Sequence, residues 1–278
     1  MRGRSRPAAG GGRLVILTGA ALAVLPFLWM LSTSLKTSAE VETAPPTVLP
    51  AQPQFSNYPD AVRRAGSIGT PFLRCFLNSA LVAAAVTAAV LVTSALAGFA
   101  FSHLRFPGRG IILLAFLATM MIPFEVTLLP NFVLIHRLGW YDTYAALIVP
   151  WTANAFSIFF VTRILERLPR EMYEAARLDG CGDLRFLWSV GLPTIRPALV
   201  TIGLYTFIGS WNAFLWPLIA TSRPELSVVQ KGLAAFMQEA GTHYHLLMAA
   251  AALTILPVIV IFVAAQRWFQ QGAEYMTA

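Results

Sequence analysis

Charged residues are scarce in this sequence, and several long stretches contain none. Asp, Glu, Lys and Arg together make up 12% of the 278 residues, whereas 57% are hydrophobic. A chain of this kind has too little polar surface to fold as a water-soluble domain. The composition excludes a soluble protein and predicts an integral membrane protein.

The sequence also lacks a nucleotide-binding loop. Such a loop needs Gly-Lys followed by Ser or Thr, so that backbone amides and the lysine can hold phosphates. Neither Lys36 nor Lys231 follows a glycine. If the chain works with ATP, we expect a partner subunit to bind it.

Catalytic and metal-binding constellations are missing from the apolar stretches. They contain no Ser/His pair, no pair of carboxylates and no cluster of metal ligands, so we expect neither an enzyme nor a metal site. Cys75 and Cys181 are predicted at opposite faces of the membrane, too far apart for a disulfide. The chain is expected to hold no cofactor.

Six apolar segments are long enough to cross about 30 Å of hydrocarbon, which takes roughly 20 helical residues. They cover 14–35, 75–101, 110–130, 143–163, 197–220 and 246–266. Membrane helices tolerate interruptions when their neighbours satisfy the freed backbone groups. The third and fourth segments have such interruptions, at Pro123, Glu125 and Pro130 and at Pro150 and Asn154. The predicted fold class is all-α, a polytopic membrane protein with six transmembrane helices.

The distribution of Lys and Arg predicts the orientation. A cytoplasmic N-terminus places 13 of the 20 basic residues inside, so we expect both termini in the cytoplasm. The net charge of +7 is then a topology signal and an affinity for anionic lipids, and no nucleic-acid partner is expected. The predicted divisions are a basic cytoplasmic tail at 1–13, one transmembrane domain at 14–278 and a proline-rich extracytoplasmic loop at 36–74.

The first apolar segment has a second interpretation as a cleavable signal peptide. Thr37 and Ala39 resemble the small residues of a cleavage site. The apolar run is longer than the roughly 7–15 residues of such a peptide, which favours a retained helix. Both interpretations place the loop that follows outside the cytoplasm.

Residues 163–197, here called the charged segment, hold 11 of the 33 charged residues. So much charge cannot lie in hydrocarbon. The pattern predicts two short amphipathic helices, the first beginning at Pro169 and ending at Gly180, the second capped by Asp183 and ending at Pro193. Two amphipathic helices on a membrane protein indicate a docking element.

The order of residues in the charged segment resembles the EAA loop of permease subunits of bacterial ABC importers, in the carbohydrate branch related to the maltose and glycerol-3-phosphate systems. The residues that carry this resemblance are Glu174-Ala175-Ala176, Asp179-Gly180, Leu192-Pro193 and Pro197. Many relatives have Ala where this chain has Cys181, and the C-terminal residues 272–278 also differ from theirs. Matching motifs elsewhere in the chain are Leu35-Lys36, Asn57-Tyr58, Leu77-Asn78-Ser79, Arg105-Phe106-Pro107-Gly108, Met121-Ile122-Pro123, Glu125-Val126, Leu138-Gly139, Tyr144, Trp211-Asn212 and Gln266-Arg267.

The resemblance implies a type I ABC importer permease that translocates a sugar or sugar-like solute, glycerol phosphate included. It implies a second homologous permease subunit, two cytoplasmic ATP-binding subunits and an extracytoplasmic solute-binding protein as partners. It also implies a cytoplasmic coupling loop at 164–196, in which small residues let the ATPase approach and a carboxylate bonds to a cationic group. The residues to which it assigns coupling are Glu174, Ala175, Ala176, Asp179 and Gly180.

Four residues within the apolar segments are candidates for the translocation pathway: Trp211, Asn212, Glu125 and Asn154. An intramembrane carboxylate or amide is costly unless it is paired or lines a wet cavity. Each candidate also has a simpler interpretation. Trp211 and Asn212, expected in the middle of the fifth span, could join helices or subunits, and Glu125 could pair with His136 or Arg137 at the rim.

Two other protein classes compete with this interpretation. An ion-gradient-driven secondary transporter or channel subunit would need several buried charges and an internal repeat. Glu125 is the one acidic residue inside a predicted span, and no repeat is evident. An intramembrane enzyme would need a catalytic constellation facing one cavity. Co-purification with an ATPase separates all three classes.

Overall fold

The long apolar segments fold as helices. The computed structural model describes residues 9–63, 69, 71–237 and 243–277, with the backbone alone at 9–11, 13, 14 and 267–277. Every regular element within these ranges is helical, which confirms the all-α prediction. The α-helices are α1 (Ala9–Ser34), α2 (Ser38–Val41), α3 (Asn57–Arg63), α4 (Phe72–His103), α5 (Arg109–Thr119), α6 (Phe124–Arg137), α7 (Tyr144–Ile148), α8 (Ala155–Leu165), α9 (Arg170–Leu178), α10 (Asp183–Phe186), α11 (Leu192–Thr194), α12 (Arg196–Trp211), α13 (Leu215–Ala220), α14 (Val229–Ala234) and α15 (Tyr244–Thr277).

Four helical stretches are long and apolar enough to cross a membrane: Val15–Ser34, Phe72–His103, Tyr144–Leu165 and Tyr244–Gln266. Two further stretches are bent. The α5–α6 pair bends by 100°, and the pair formed by Asp183–Thr194 and α12 bends by 83°. When each bent pair counts as one span, the described residues contain up to six, which agrees with the predicted number.

Besides the fourth, which is interrupted between Trp151 and Ala155, two predicted spans are not continuous helices. The third turns sharply between α5 and α6, so Glu125 lies in the first turn of α6. The fifth, predicted over 197–220, stops at Trp211, and α13 begins at Leu215. Proline explains this second break, because Pro217 has no N–H to donate to the carbonyl of Ala213.

The predicted boundaries of the basic tail (1–13) and of the extracytoplasmic loop (36–74) also differ from those of the structure. Residues 1–8 of the predicted tail lie outside the described residues, and residues 9–13 belong to α1, because a formed helix gains one hydrogen bond for each residue it adds. The predicted 36–74 loop contains α2, α3 and the first turn of α4, while its residues 64–68 and 70 lie outside the described ranges. Asn57 ties this loop back to α1, since its amide donates to the carbonyls of Ser34 at 2.9 Å and Lys36 at 2.8 Å.

Helix α4 is the centre of the bundle, with α8 and α12 packed along its length. A glycine permits the α4–α8 contact, since a Cβ at Gly98 would lie 2.6 Å from Cγ1 of Val161. A second cluster joins the first half of α4 to α12, α14 and α15 through Phe72, Trp211 and Phe236. By contrast, α1 packs mainly against α15 and leaves most of its apolar side chains exposed, as a lipid-facing helix would.

Candidate functional site

The charged segment forms two helical stretches, as predicted, with a tight turn between them. The first is α9; the second, Asp183–Thr194, consists of α10, a π-helix at Leu187–Gly191 and α11. Gly180 has a φ of +78°, and the N–H of Cys181 donates to the carbonyl of Ala176 at 2.9 Å. Residues with a Cβ avoid this left-handed conformation at a cost of about 1–2 kcal/mol. A glycine at position 180 therefore sets the direction in which the chain leaves α9.

The residues predicted to couple to an ATPase lie mostly on the surface of this turn. Glu174, Ala175, Asp179 and Gly180 are exposed, whereas Ala176 is half-buried against the main core. Beside them Leu178 is 89% exposed, and α10 and the turn after it expose Leu184 and Trp188. Apolar side chains that are exposed together with charged ones are typical of a docking surface.

Tyr173 joins the two helices on the opposite, inner side of α9. Its hydroxyl donates to Oδ1 of Asp183 at 2.6 Å. Asp183 was the predicted N-cap of the second helix, but its carboxylate accepts this bond and the N-cap residue is Gly182. Burial and the hydrogen bond to Asp183 raise the pKa of Tyr173. The sequence analysis missed this residue; the available signal was an aromatic side chain directly before the exposed Glu174.

An ion-pair network lies where the charged segment leaves α8. Glu166 accepts from Arg109 at 3.0 Å with one carboxylate oxygen and from Arg163 at 2.9 Å with the other. Arg109 begins α5, so this carboxylate connects the adjacent ends of α5 and α8. All three side chains retain solvent contact, so the network stabilises the junction only modestly.

A cavity of about 610 Å³, here called the central cavity, lies where two helical segments are interrupted. One interruption is the 3₁₀ turn at Val149–Trp151 and the residues that lead to α8; the other is the gap between α12 and α13. Irregular backbone at membrane depth is tolerated where it is buried in protein or lines a water-filled cavity. The backbone groups freed at the two breaks are therefore tolerated because they lie beside the central cavity.

The lining of the central cavity is mostly apolar, with a few polar groups and no Asp, Glu, Lys or Arg among the described lining residues. Asn154 is one of them. Its Oδ1 accepts from the backbone N–H of Ser157 at 2.9 Å and so caps α8. Trp151 and Trp216 contribute aromatic surface, and the indole N–H of Trp216 is fixed by the carbonyl of Ala146 at 2.9 Å.

The other three pathway candidates lie outside this lining. Trp211 is 1% exposed, packs face to face with Phe207 and donates its indole N–H to the carbonyl of Thr254 at 3.2 Å, which favours its role in helix packing. Asn212 is exposed, and its side-chain oxygen accepts from Gln230 at 3.2 Å. Neither residue stands in the middle of a span, because α12 ends at Trp211.

Glu125 is exposed in the first turn of α6 and forms no ion pair among the described residues. The suggested pairing with His136 or Arg137 is wrong. These residues lie in the last turn of the same helix, about 17 and 18 Å along its axis at a rise of ~1.5 Å per residue. His136 instead stacks on Tyr141, with ring centroids 4.1 Å apart.

A polar clasp closes the bundle near the first residues of α4. Asp142 has a φ of +61°, and its carboxylate accepts from the backbone N–H groups of Ser222 and Arg223 and from Nε of Arg223, at 2.9–3.0 Å. Burial opposes ionisation of this carboxyl, but the two backbone donors and the guanidinium prevail and lower the pKa of Asp142. The clasp fixes the loop after α6 to the loop after α13.

Asn78 makes a second connection at the same end. Its amide nitrogen donates to the carbonyls of Glu225 and Ser227, both at 2.8 Å, and its oxygen accepts from the hydroxyl of Tyr144 at 2.7 Å. One side chain therefore holds three chain segments. The motifs around Asn78 and Tyr144 that carried the resemblance meet here in space.

A membrane-spanning bundle with broken helices around a cavity, and an exposed two-helix loop at one end, has the architecture of a transport permease. Over residues 89–275 the chain matches the family described as "Binding-protein-dependent transport system inner membrane component". The chain belongs to this family.

Relatives cover nearly the whole chain. The sn-glycerol-3-phosphate transport system permease protein UgpE of Yersinia pestis bv. Antiqua (strain Antiqua) is 31% identical over 262 residues, which is 93% of each chain. UgpE of Pectobacterium atrosepticum is 34% identical over 236 residues, 84% of each chain. Among solved structures, a chain of a bacterial ABC transporter involved in the import of the acidic polysaccharide alginate has the same fold, with a TM-score of 0.81, 23% identity, and coverage of 95% of this chain and 100% of that one.

These findings confirm the predicted class. The chain is a multi-pass permease subunit of an ATP-driven, binding-protein-dependent importer in the cytoplasmic membrane, and it is not an enzyme. Membership of this family implies an ATPase and a solute-binding protein as its partners. The comparisons give no support to an ion-gradient-driven transporter.

Proposed function

We propose that this chain is one of two homologous permease subunits that together form the translocation pathway of a sugar or glycerol-phosphate importer. Both termini and the charged segment face the cytoplasm, where two ATP-binding subunits dock. The solute-binding protein docks at the other end, near the clasp of Asp142 and Arg223. The excess of arginine on the charged-segment side supports this orientation.

The observation that carries the coupling role is the exposed surface around Gly180. A charged segment that served topology alone would have no reason to expose Leu178 and Trp188 beside Glu174. The small side chain of Ala175 lets a partner surface approach the helix, and the carboxylates of Glu174 and Asp179 can bond to its cationic groups. ATP-driven closure of the two ATPase subunits moves this loop and tilts the bundle to its outward-facing state.

The central cavity is this chain's share of the pathway. Its broken helices lie beside the cavity, as helix breaks do in transporters that bind solute at membrane depth. Asn154 supplies an amide, while Trp151 and Tyr205 supply aromatic surface, a combination that suits sugar rings and hydroxyl groups. Of the four pathway candidates, Asn154 is supported by this placement; Trp211, Asn212 and Glu125 remain hypotheses without a place in the cavity.

The solute is a sugar or a glycerol phosphate; the UgpE relatives are named for sn-glycerol-3-phosphate. The described lining of the central cavity offers no cation. An anionic phosphate buried against such a lining would lack compensation. If the solute carries a phosphate, the partner permease or the binding protein must hold that group.

ATPase activity of the purified complex tests this function. We expect a solute-loaded binding protein to stimulate hydrolysis in the wild type, and we expect Glu174→Ala and Gly180→Pro to lose that stimulation. Glu42→Ala, which removes an exposed carboxylate near α2, is the control. If no ATPase co-purifies, or if both loop variants keep full stimulation, the coupling role is refuted.

A further inference from the structure

The inner side of the charged segment is fixed to the end of α4 by aromatic packing. The ring of Tyr173 lies 5.0 Å from that of His103, the last residue of α4, and 6.2 Å from that of Phe99. The ring of Phe186, which belongs to α10, completes the group at 5.0 Å from Tyr173. Two loop helices and one membrane helix thus share a single cluster of rings.

A hydrogen bond between Tyr173 and Asp183 also holds α9 against α10. The hydroxyl of Tyr173 reaches Asp183 at the start of α10, so α9 cannot move away from α10 without breaking a bond to a carboxylate. Bonds to charged groups are roughly twice as strong as neutral ones. The alternative connection through Glu166 is weaker, because that carboxylate and its two arginines are solvent-accessible.

Helix α4 continues from this cluster to the central cavity without a break. Val90, Val86, Val82 and Ser79 line the cavity, and all lie on α4 between the ring cluster and the clasp end. From His103 to Ser79 the helix spans about 36 Å at a rise of ~1.5 Å per residue. A displacement of one end of this helix therefore reaches the cavity wall.

From this geometry we propose that Tyr173 is a positioning residue for transport. It fastens the coupling surface of α9 to α4 in two ways: its ring packs on His103, and its hydroxyl holds α10, whose Phe186 ring lies 5.7 Å from that of His103. Movement imposed on the loop is thereby delivered to the wall of the central cavity. This inference rests on the proposed coupling role of the charged segment. It adds the side chain through which the loop acts and the membrane helix that receives the movement.

The test is the ratio of solute transported to ATP hydrolysed, measured for the complete complex in vesicles with its binding protein. Tyr173→Phe keeps the ring and removes the hydroxyl. We expect the ratio to fall roughly tenfold, the factor that corresponds to losing a hydrogen bond to a charged group. Asp183→Ala should match it, the double variant should be no worse than either, and Asp183→Asn, which keeps an acceptor oxygen, should retain most of the ratio.

Thr194→Ala is the matched control. The Thr194 hydroxyl bonds to the carbonyl of Val190 at 2.7 Å within one helical stretch, whereas the Tyr173–Asp183 bond joins α9 to α10. A loss of protein quality would lower transport and hydrolysis in proportion and leave their ratio unchanged. If Tyr173→Phe matches Thr194→Ala while Glu174→Ala is still defective, the Tyr173 role is refuted and the coupling role stands. If the Glu174 variant is also fully active, the coupling role itself fails.

Discussion

At the scale of single residues, two glycines in one turn offer a direct test of backbone conformation. Gly180 has a φ of +78°, whereas Gly182 has a φ of −72°, and a Cβ at either position would meet no atom within 4 Å. Gly180→Ala should therefore cost about 1–2 kcal/mol in the folded loop and weaken stimulation of the ATPase. Gly182→Ala should leave stimulation near the wild-type value. Equal stimulation in both variants would contradict the role of the left-handed turn.

A second residue-level prediction concerns pH and the Asp142 clasp. The pKa of Asp142 is lowered from its ordinary value of 3.8 in the folded protein. The charged carboxylate therefore stabilises the fold above that value, and the stabilisation is lost as the pH falls through the lowered pKa. Asp142→Asn should reduce stability at neutral pH and flatten the acid dependence of thermal unfolding.

The control for this pH prediction is Asp60→Asn. Asp60 is exposed in the first turn of α3 and forms no ion pair among the described residues. Its substitution should leave the acid limb of the wild-type curve in place. An unchanged acid limb in Asp142→Asn would show that the clasp does not contribute to the pH dependence.

At the scale of helices, the α4–α8 contact depends on a missing side chain. Because a Cβ at Gly98 would overlap Val161, Gly98→Ala must push the helices apart or distort a rotamer, at a cost of about 1–3 kcal/mol. Gly110→Ala in α5 adds a methyl group where no atom lies within 4 Å, and it should be neutral or slightly stabilising. Thermal unfolding in detergent should separate the two variants, and a Tm for Gly98→Ala equal to that of Gly110→Ala would contradict the close contact.

Hydropathy located four spans among the described residues, or up to six when each bent pair counts as one, because the cost of polar groups in hydrocarbon depends on composition over some 20 residues. It could not locate the helix breaks, which depend on single backbone groups. Pro217 removes a hydrogen bond to the carbonyl four residues before it, so the break after Trp211 falls inside the predicted apolar segment and not at its end. The sequence therefore placed Trp211 and Asn212 in mid-span, where the structure has the end of α12.

Some features of the candidate site could also be predicted from the sequence, and others could not. The turn at Gly180 was predictable because left-handed backbone strongly favours glycine. The contacts of Tyr173 with Asp183 and with the end of α4 were not, because they join residues 10 and 70 positions apart in the chain. The central cavity is likewise built from α4, α12, α13 and the residues that lead to α8. No local pattern could single out Trp151 or Tyr205.

At the scale of the whole molecule, the proposed coupling role requires that the charged-segment end of the bundle face the cytoplasm. Two exposed positions outside the coupling surface can decide it: Arg105, just after α4, and Leu49, which is 76% exposed in the loop between α2 and α3. In the proposed orientation, a membrane-impermeant thiol reagent should label Leu49→Cys in right-side-out vesicles and Arg105→Cys only in inverted ones. Wild-type protein gives the background from Cys75, which is buried, and Cys181, which is half-buried. The reverse pattern would place the charged segment outside, where no cytoplasmic ATPase could reach Glu174, and would overturn the coupling role and the function of Tyr173 together.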